Sequence, residues 1–233
     1  MDRPAISIIV PVFREETNIA ALLAHVAGLG APGGAELLVA DGDPQRGTLA
    51  AIPPGAAIPL ATAKGRARQM NAGAAAAHGE ILLFLHADTR LPPDALRLVS
   101  AALTDPEICG GAFSLCIAPK GREPGPGLHF IAWAANLRAR LTRAPFGDQA
   151  LFVRRAIFER AGGFPDQPIM EDLEFMTRLR RRGLRIRLLP QCARTSARRW
   201  EKEGLLACTG RNLLLRTFYH LGVSADRLAR FYP

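Results

Sequence analysis

Uninterrupted apolar runs alternate with segments of helical periodicity through the first half of the chain. Ala5–Phe13 (AISIIVPVF) is a continuous, largely β-branched run, and Glu36–Ala40 (ELLVA) and Ile81–Leu85 (ILLFL) are shorter runs of the same kind. Such runs predict strands buried on both faces of a parallel sheet. Between the first two, Glu15–Leu29 repeats apolar residues three and four positions apart, which predicts a helix.

The same alternation continues to about residue 118. Lys64–Ala77 predicts a helix whose small residues allow close packing on a sheet, Pro92–Ala102 predicts a second helix, and Gly110–Ile117 predicts a strand. Strands that alternate with helices form right-handed βαβ units. We therefore expect an α/β fold with a mostly parallel, Rossmann-like sheet flanked by helices.

After Pro119 the alternation is lost. The pattern predicts helices at 128–141, 156–161 and 171–182, strands at 150–155 and up to Leu189, and further helices to the end of the chain. The uncharged stretch Gly47–Ala63 is interrupted by three prolines and contains no predicted element. With neither an internal repeat nor a long linker, residues 1–233 are expected to form a single domain with a helical C-terminal extension.

Composition indicates a globular protein, with 48% hydrophobic and 22% charged residues. No segment approaches the roughly 18–20 apolar residues of a membrane span, and the apolar N-terminal run is too short for a signal peptide. The four cysteines show neither a C-x-x-C pair nor histidines at metal spacing. We therefore expect a cytoplasmic protein whose cysteines are small, reduced core residues.

Positive charge is concentrated late in the chain, where Arg178–Arg187 reads RLRRRGLRIR and Arg194–Lys202 reads RTSARRWEK. The formal net charge is +9. A basic surface suits nucleic acid, an anionic membrane face or a phosphorylated small molecule, and a solvated helix face is the alternative. The amphipathic tail Leu213–Tyr232 would allow peripheral contact with the inner membrane face.

Acidic side chains follow three of the predicted strands, in the segments Arg14–Glu16, Asp41–Asp43 and His86–Asp88. Because ligands of open α/β sheets bind beyond the carboxyl ends of the strands, these segments predict one cleft lined by carboxylates. Such a cleft favours ribose hydroxyls and a divalent cation. For Asp88, service as the N-cap of the following helix is the alternative.

Three common nucleotide-binding and hydrolase motifs are absent. No G-x-G-x-x-G follows the first strand, and the chain contains no G-x-x-x-x-G-K-[ST] and no G-x-S-x-G. A dinucleotide Rossmann site, a P-loop NTPase and an α/β-hydrolase are therefore disfavoured.

A series of motifs over about residues 5–190 resembles the family 2 glycosyltransferases of the GT-A fold: SIIVPVFREE, LLVADGD, GRARQMNAG, ILLFLHADT, GGAF, FGDQALFVRR, GGFP and MEDLEF. The segments FLHADT, FGDQ, SARRWEK and YHLGVSADRLARFYP are similar to a branch without membrane spans, the rSAM/selenodomain-associated transferases linked to arsenosugar biosynthesis. The resemblance implies transfer of a sugar from a nucleotide-sugar donor to a small-molecule or lipid-linked acceptor, with inversion at the anomeric carbon. Processive relatives carry Q-x-x-R-W where this chain has Thr195 or Ser196 in place of the glutamine ahead of Arg199 and Trp200, so we expect non-processive transfer.

The resemblance also implies roles for particular residues. Asp88 matches the last aspartate of the family's D-x-D and would hold Mg²⁺ or Mn²⁺, with His86 in place of the first aspartate. Glu171 and Asp172 match the catalytic acidic pair, and Asp172 would be the general base. An acidic first turn at a helix start is the alternative for this pair.

The expected donor and acceptor contacts come from opposite halves of the chain. Nucleotide contacts, in about 1–118, are implied for Pro11, Val12, Glu15, Asp41, Asp43, Arg66 and Arg68. For Asp41 and Asp43 the alternative is that they only form the turn. For Arg66 and Arg68 the alternative is that they are ordinary solvated arginines. Acceptor or diphosphate contacts, in about 119–233, are implied for Asp148, Gln149, Arg199 and Trp200.

Two other functions are consistent with parts of the sequence. A nucleotidylyltransferase of the same fold would need a basic, glycine-rich loop after the first strand, where this chain has Arg14–Glu16. A nucleic-acid-binding protein would use the arginine clusters, but aromatic residues are only 6% and no recognised nucleic-acid motif is present. We therefore expect no nucleic-acid partner.

Overall fold

The computed structural model describes residues 4–30 and 33–232. Residues 1–3, 31–32 and 233, which include both ends of the expected domain 1–233 and the last residue of the motif YHLGVSADRLARFYP, lie outside the described residues. The first half contains β1 (Ile6–Val12), α1 (Ile19–Ala27), β2 (Ala35–Asp41), α2 (Gly47–Ala50), β3 (Ile58–Ala61), α3 (Arg66–Ala76), β4 (Ile81–Phe84), β5 (Thr89–Arg90), α4 (Ala95–Ala102) and β6 (Ile108–Ala118).

The second half is mainly helical. It contains α5 (Pro126–Thr142), a 3-10 turn (Gly147–Gln149), β7 (Phe152–Arg154), α6 (Arg155–Ala161), α7 (Glu171–Arg181), β8 (Arg185–Ser196), α8 (Arg198–Glu203), α9 (Leu205–His220) and α10 (Ala225–Ala229). In the described part of the chain, no helix is both long and apolar enough to cross a membrane.

Among the described residues the strands form one eight-stranded sheet in the order β3-β2-β1-β4-β7-β6-β8-β5. Strands β1 to β4 pair in parallel, as do β6 and β8, whereas β7 is antiparallel to both of its neighbours and β5 is antiparallel to β8. The predicted α/β fold with a mostly parallel sheet is therefore confirmed. The antiparallel strand β7 connects the two parallel parts.

Both faces of the sheet are buried, as the continuous apolar runs predict. Along β1, Ile6, Ile8 and Val10 belong to the core beneath α1 and α4, while Ile9 belongs to the core beneath α3 and α7. Helix α3 packs closely on β1 because Gly73 faces Ile9; a Cβ at residue 73 would overlap the Cγ2 of Ile9. The small residues of this helix have the predicted packing role.

The structure adds elements that the sequence pattern does not reveal. The stretch Gly47–Ala63 contains α2 and β3, and Pro59 is tolerated because β3 is an edge strand, where one side of the backbone is unpaired. Strand β8 continues to Ser196, past the predicted end at Leu189, because it pairs with β6 along nearly its whole length.

The prediction for the cysteines is wrong in part. Cys116 on β6 and Cys192 on β8 are joined by a disulfide across adjacent strands, while Cys109 and Cys208 are free and buried as expected. Their separation of 76 residues gave no spacing signal, because the pairing depends on the parallel contact between β6 and β8. Disulfides persist in oxidising compartments, so this pairing does not support the expectation of a reducing cytosol.

The packing of α3 gives a stability prediction based on one substitution at two helical glycines. Gly73→Ala should lower the free energy of unfolding by about 1–3 kcal/mol, since the new methyl group overpacks against Ile9. Gly210→Ala in α9 should raise it by about 0.5–1 kcal/mol, because nothing lies within 4 Å of that Cβ position and alanine favours the helix. Urea unfolding monitored by circular dichroism measures both free energies. Equal changes for the two substitutions would contradict the close packing of Gly73 on Ile9.

Candidate active site

The carboxyl ends of β1, β2 and β4 lie side by side. Val12 is opposite Asp41 in the register of β1 and β2, and Ile9 is opposite Phe84 in that of β1 and β4. The three polar strand ends are therefore at one edge of the sheet, as expected. Gln69 of α3 fixes two of them, because its Nε2 donates hydrogen bonds to the carbonyls of Val12 (2.6 Å) and Ala40 (2.8 Å).

One cavity opens directly at this edge. This strand-end cavity has a volume of about 250 Å³ and is lined by Pro11, Val12, Phe13, Glu15, Arg66, Gln69, His86, Ala87, Asp88 and Arg198. Arg198 reaches across its mouth to Glu15, with 3.7 Å between Nη2 and Oε1. The cavity is therefore bordered by apolar residues of β1 and by charged groups of both signs.

A second cavity lies on the helical side. This helix-side cavity has a volume of about 270 Å³ and is lined by Arg66, His86, Asp88, Phe146, Asp148, Ile169, Met170, Asp172, Thr195, Ser196, Arg199, Trp200, Asn212, Arg216 and Tyr232. Arg66, His86 and Asp88 line both cavities. A molecule extending from one cavity into the other would pass these three side chains.

The first residues of α3 and α7 are joined by an ion pair between Arg66 and Glu171. Glu171 is 1% exposed, whereas the side chain of Arg66 keeps about a third of its surface accessible (33%). Burial opposes the charge of Arg66, but the carboxylates of Glu171 and Asp172 outweigh it and raise the pKa of Arg66. Arg66 is therefore a permanent cation between the two cavities.

Asp172 is held by the 3-10 turn that precedes β7. Its Oδ2 accepts a hydrogen bond from the backbone N–H of Gly147 at 2.5 Å, and its Oδ1 accepts one from the N–H of Leu173 at 2.7 Å. A Cβ at residue 147 would lie 2.9 Å from Nε2 of His86 and 3.2 Å from Oδ2 of Asp172. Only glycine therefore allows this turn, His86 and Asp172 to meet.

Burial alters the protonation of the groups lining the cavities. It lowers the pKa of His86 to about 3, with the charge of Arg66 acting in the same direction, so this imidazole is neutral at physiological pH. It raises the pKa of Asp88, against the attraction of Arg198. Burial, together with the negative charge of Asp172, raises the pKa of Asp148 to about 6. Shifted carboxyl groups in a cleft are typical of functional sites.

Nine of the fourteen predicted site residues line the two cavities: Pro11, Val12, Glu15, Arg66, Asp88, Asp148, Asp172, Arg199 and Trp200. Asp88 is not a helix cap, because α4 begins at Ala95 with Asp94 before it. Asp88 lies instead in the turn between β4 and the short strand β5, which pairs with β8.

The other five predicted residues lie behind or beside the cavities. Asp41 and Asp43 shape the turn after β2, since Oδ1 of Asp41 accepts from the N–H of Asp43 at 2.8 Å. Gln149 is buried and donates to the carbonyl of Phe113 at 3.1 Å. Arg68 pairs with the exposed Asp166 at 2.8 Å, and Glu171 is engaged by Arg66 as described above.

Several cavity residues come from the C-terminal segment 205–232, where sequence analysis predicted membrane contact but no site residue. Asn212 and Arg216 lie on α9, and Tyr232 covers Arg199: the guanidinium lies 4.5 Å from the centre of the ring and donates to the hydroxyl at 2.6 Å. Asn212 and Arg216 are four residues apart on one helical face, which is the only sequence signal that could have paired them.

The donor atoms around Asp88 fit a hard divalent cation only if a ligand completes its coordination. The described residues contain no group of three or more His, Cys, Asp or Glu side chains placed to hold a metal ion. However, Mg²⁺ and Mn²⁺ are commonly held by one or two carboxylates together with water and phosphate oxygens. Asp88 opens to both cavities, and Oδ1 of the nearby Asp148 is buried without a hydrogen-bond partner among the described residues.

Comparison with known proteins identifies a family whose match includes ten of the fourteen predicted site residues but ends before Glu171 and Asp172. The sequence profile of the family described as "Glycosyl transferase family 2" matches residues 7–162. No curated protein matches the chain.

Solved structures share the fold. The mannosyltransferase PcManGT from Pyrobaculum calidifontis, in complex with GDP-Man and Mn²⁺, has a TM-score of 0.61 and 22% identity over 82% of this chain and 56% of that one. TarS from S. aureus has a TM-score of 0.59 and 17% identity over 86% of this chain and 38% of that one. The chain therefore spans 56% of the length of the mannosyltransferase and 38% of the length of TarS.

The raised pKa of Asp148 predicts a pH-dependent gain in stability when its charge is removed. Ionisation costs more in the folded protein than in the unfolded chain, so the native state loses stability as pH rises from the ordinary carboxyl value of 3.8 through about 6. Asp148→Asn should therefore be more stable than the wild type by about 1–3 kcal/mol at pH 8, and by less at pH 5. Thermal melts at both pH values measure the difference.

Asp166→Asn is the matched control, because this exposed carboxylate is paired with Arg68, which lowers the pKa of Asp166. Its replacement should give no gain in melting temperature at pH 8. A pH-independent effect of Asp148→Asn would contradict the assignment.

Proposed function

The chain belongs to glycosyl transferase family 2, and we propose that it transfers a sugar from a nucleotide-sugar donor to an acceptor hydroxyl in one inverting displacement. The observation that carries this proposal is the pair of cavities that meet at Arg66, His86 and Asp88. A single displacement needs leaving group and attacking hydroxyl on opposite sides of the anomeric carbon. Two adjoining cavities with charged groups at their junction provide this arrangement.

The strand-end cavity would hold the donor nucleotide. Pro11 and Val12 offer an apolar wall for the base, and Glu15 offers a carboxylate for hydroxyl groups. Arg66 and Arg198 line the same cavity and would neutralise the diphosphate. Asp41 and Asp43 would act indirectly, by fixing the turn that ends β2. Mn²⁺ in the complex of the mannosyltransferase neighbour is consistent with a metal-dependent reaction.

Asp88 would hold Mg²⁺ or Mn²⁺ through its carboxylate, which opens to both cavities. When bound, the cation would stabilise the negative charge that develops on the leaving diphosphate. The Arg66 guanidinium, fixed by Glu171, provides a second positive charge at the same junction. His86 is neutral there, so it adds no further positive charge and is available as a hydrogen-bonding group.

Asp172 would accept the proton of the attacking hydroxyl. It lines the helix-side cavity, and its two backbone hydrogen bonds hold the carboxylate in one orientation. Glu171 would be a positioning residue, because it contacts Arg66 and is almost fully buried. Asp148, Arg199 and Trp200 would contact the acceptor from the same cavity, and Gln149 would support them through its buried hydrogen bond to the carbonyl of Phe113.

We also propose that the chain is one functional unit, with the donor half at about 1–118 and the acceptor half at about 119–233. The lining residues of the two cavities support this division, although Arg198 crosses to the donor side. The similarity of FLHADT, FGDQ and SARRWEK to transferases linked to arsenosugar biosynthesis supports a small-molecule acceptor. Non-processive transfer is supported by Thr195 or Ser196, which stand in place of the glutamine that processive relatives carry ahead of Arg199 and Trp200. A lipid-linked acceptor is the other possibility, and a product assay with both classes separates them.

Substitution of the two key carboxylates tests the mechanism. Asp88→Asn and Asp172→Asn should each lower kcat by about 10²–10⁴-fold, since one removes the cation ligand and the other the base. Turnover is measured as nucleoside diphosphate release with acceptor present, and Asp166→Asn, which changes an exposed carboxylate of the Arg68 pair, should retain wild-type kcat.

The outcome also distinguishes the two acidic residues of the helix-side cavity. If Asp172→Asn retains turnover while Asp148→Asn abolishes it, the base is Asp148 and the present assignment is wrong. Donor choice is tested by thermal shift with UDP-, GDP- and dTDP-sugars, with and without Mn²⁺, because a bound donor raises the melting temperature by mass action.

A further inference from the structure

Helices α5 and α9 lie side by side and run in the same direction. Leu205, at the start of α9, covers Gly127, at the start of α5; a Cβ at residue 127 would lie 2.5 Å from the leucine Cδ2. About three turns further along, Arg138 of α5 and Arg216 of α9 line one cavity. The pairs of contacts advance together along both helices, which fixes their common direction.

The outer surface of α5 is apolar and exposed. Phe130, Trp133, Leu137 and Leu141 are three or four residues apart, so they form one stripe along the helix. Their exposed fractions are 65%, 58%, 40% and 77%. The rings of Phe130 and Trp133 are stacked with their centres 5.7 Å apart. The opposite side of the helix is buried through Ala132 and Ala139.

Helix α9 also exposes large apolar residues. Leu206, Leu213 and Leu214, and Leu221 just beyond its last turn, have exposed fractions of 86%, 52%, 57% and 73%. The helix is buried through Cys208 and Leu215 on its other side. Eight exposed large apolar residues on or just beyond two adjacent helices exceed the singly scattered apolar residues of an ordinary surface, and apolar patches mark interaction sites.

The charges on these helices are of one sign. Neither α5 nor α9 contains an aspartate or a glutamate, whereas Arg138 and Arg140 lie on the first and Arg216 on the second. Arg211 of α9 is paired with Glu203, just before the helix. An apolar helix face accompanied only by basic residues, with an exposed tryptophan, is typical of helices that lie in the interface of an anionic membrane.

A basic cavity of about 190 Å³ lies between α5, α7 and α9. It is lined by Arg138, Thr142, Ala144, Leu173, Thr177, Arg180, Arg216 and His220, with no carboxylate among them. The guanidinium of Arg138 stacks on Phe146, 3.6 Å from the centre of the ring. Its Nε and Nη2 are buried and have no hydrogen-bond partner among the described residues. Donors of this kind, beside two threonines, suit a phosphate group.

We propose that α5 and α9 form a docking face for a bilayer of anionic phospholipids, with the basic cavity holding a headgroup phosphate. The exposed stripes would lie at the level of the acyl boundary, and the arginines would contact the headgroups. This inference does not rest on sugar transfer, because it depends on a surface and a cavity outside the two described above, with Arg216 as the only shared wall residue among those described.

Vesicle binding tests the proposal without donor or acceptor. The protein should co-sediment with equimolar phosphatidylglycerol/phosphatidylcholine vesicles at low salt, and at least tenfold less with pure phosphatidylcholine. Leu141→Gln should weaken binding about tenfold or more, because the apolar side chain of Leu141 would no longer be buried in the bilayer. Ile58→Gln, which changes a partly exposed apolar residue on the edge strand β3, is the matched control and should bind like the wild type.

Tryptophan fluorescence locates the contact, because the chain has two tryptophans. Brominated phospholipids should quench Trp133, which lies on the stripe, and Trp133→Phe should abolish the quenching while leaving the signal of Trp200 in the helix-side cavity. Quenching that survives Trp133→Phe, or an absence of co-sedimentation at low salt, would overturn the proposal.

The basic cavity is tested with two neighbouring arginines of α7. Arg180→Gln removes a cavity residue and should weaken binding to the anionic vesicles by at least twice the factor seen for Arg181→Gln, which removes an exposed charge outside the cavity. Equal losses would overturn the headgroup assignment.

Millimolar inorganic phosphate should not release the protein from vesicles. A dimer in light scattering that Leu141→Gln disrupts, without vesicle binding, would instead assign the face to a second copy of the chain.

Discussion

The arrangement of the candidate active site depends on the ion pair between Arg66 and Glu171. The two residues are 105 positions apart, and each is the first residue of a helix, Arg66 of α3 and Glu171 of α7. Glu171 is almost completely buried, and an unpaired buried carboxylate costs several kcal/mol, roughly 3–5 when one partner of such a pair is removed. The pair therefore fixes the position of α7 relative to the sheet edge, and with it the position of the adjacent Asp172.

The same constraint explains why the junction tolerates a histidine where the family's motif has an aspartate. Nε2 of His86 faces Gly147, the residue whose N–H holds Asp172. With its pKa lowered by burial and by Arg66, the imidazole remains neutral and does not compete with Arg66 for the carboxylates. The space at Gly147 is thus shared between a neutral ring and the side chain proposed as the base.

Local sequence patterns predicted β1, β2, β4 and β6, the mostly parallel sheet and the shared edge of β1, β2 and β4, because each depends on a run of neighbouring residues; they did not predict β3 or β5. The resemblance to family 2 glycosyltransferases selected nine residues that line the two cavities. Local patterns did not reveal the disulfide between Cys116 and Cys192, which requires β6 and β8 to be neighbours. Nor did they reveal that Gln149 is a buried support or that Tyr232 covers Arg199, since these contacts join distant segments.

The C-terminal helices connect the candidate active site to the proposed membrane face. Arg216 of α9 lines both the helix-side cavity and the basic cavity. Asn212, one turn earlier, lines the helix-side cavity. A lipid phosphate held by Arg180 and Arg216 would therefore lie one side chain away from the helix-side cavity. Because α9 also carries the exposed leucines, docking on a bilayer would hold this helix in place. An amphiphilic acceptor could then reach Asp172 from the surface without the chain having to span the membrane.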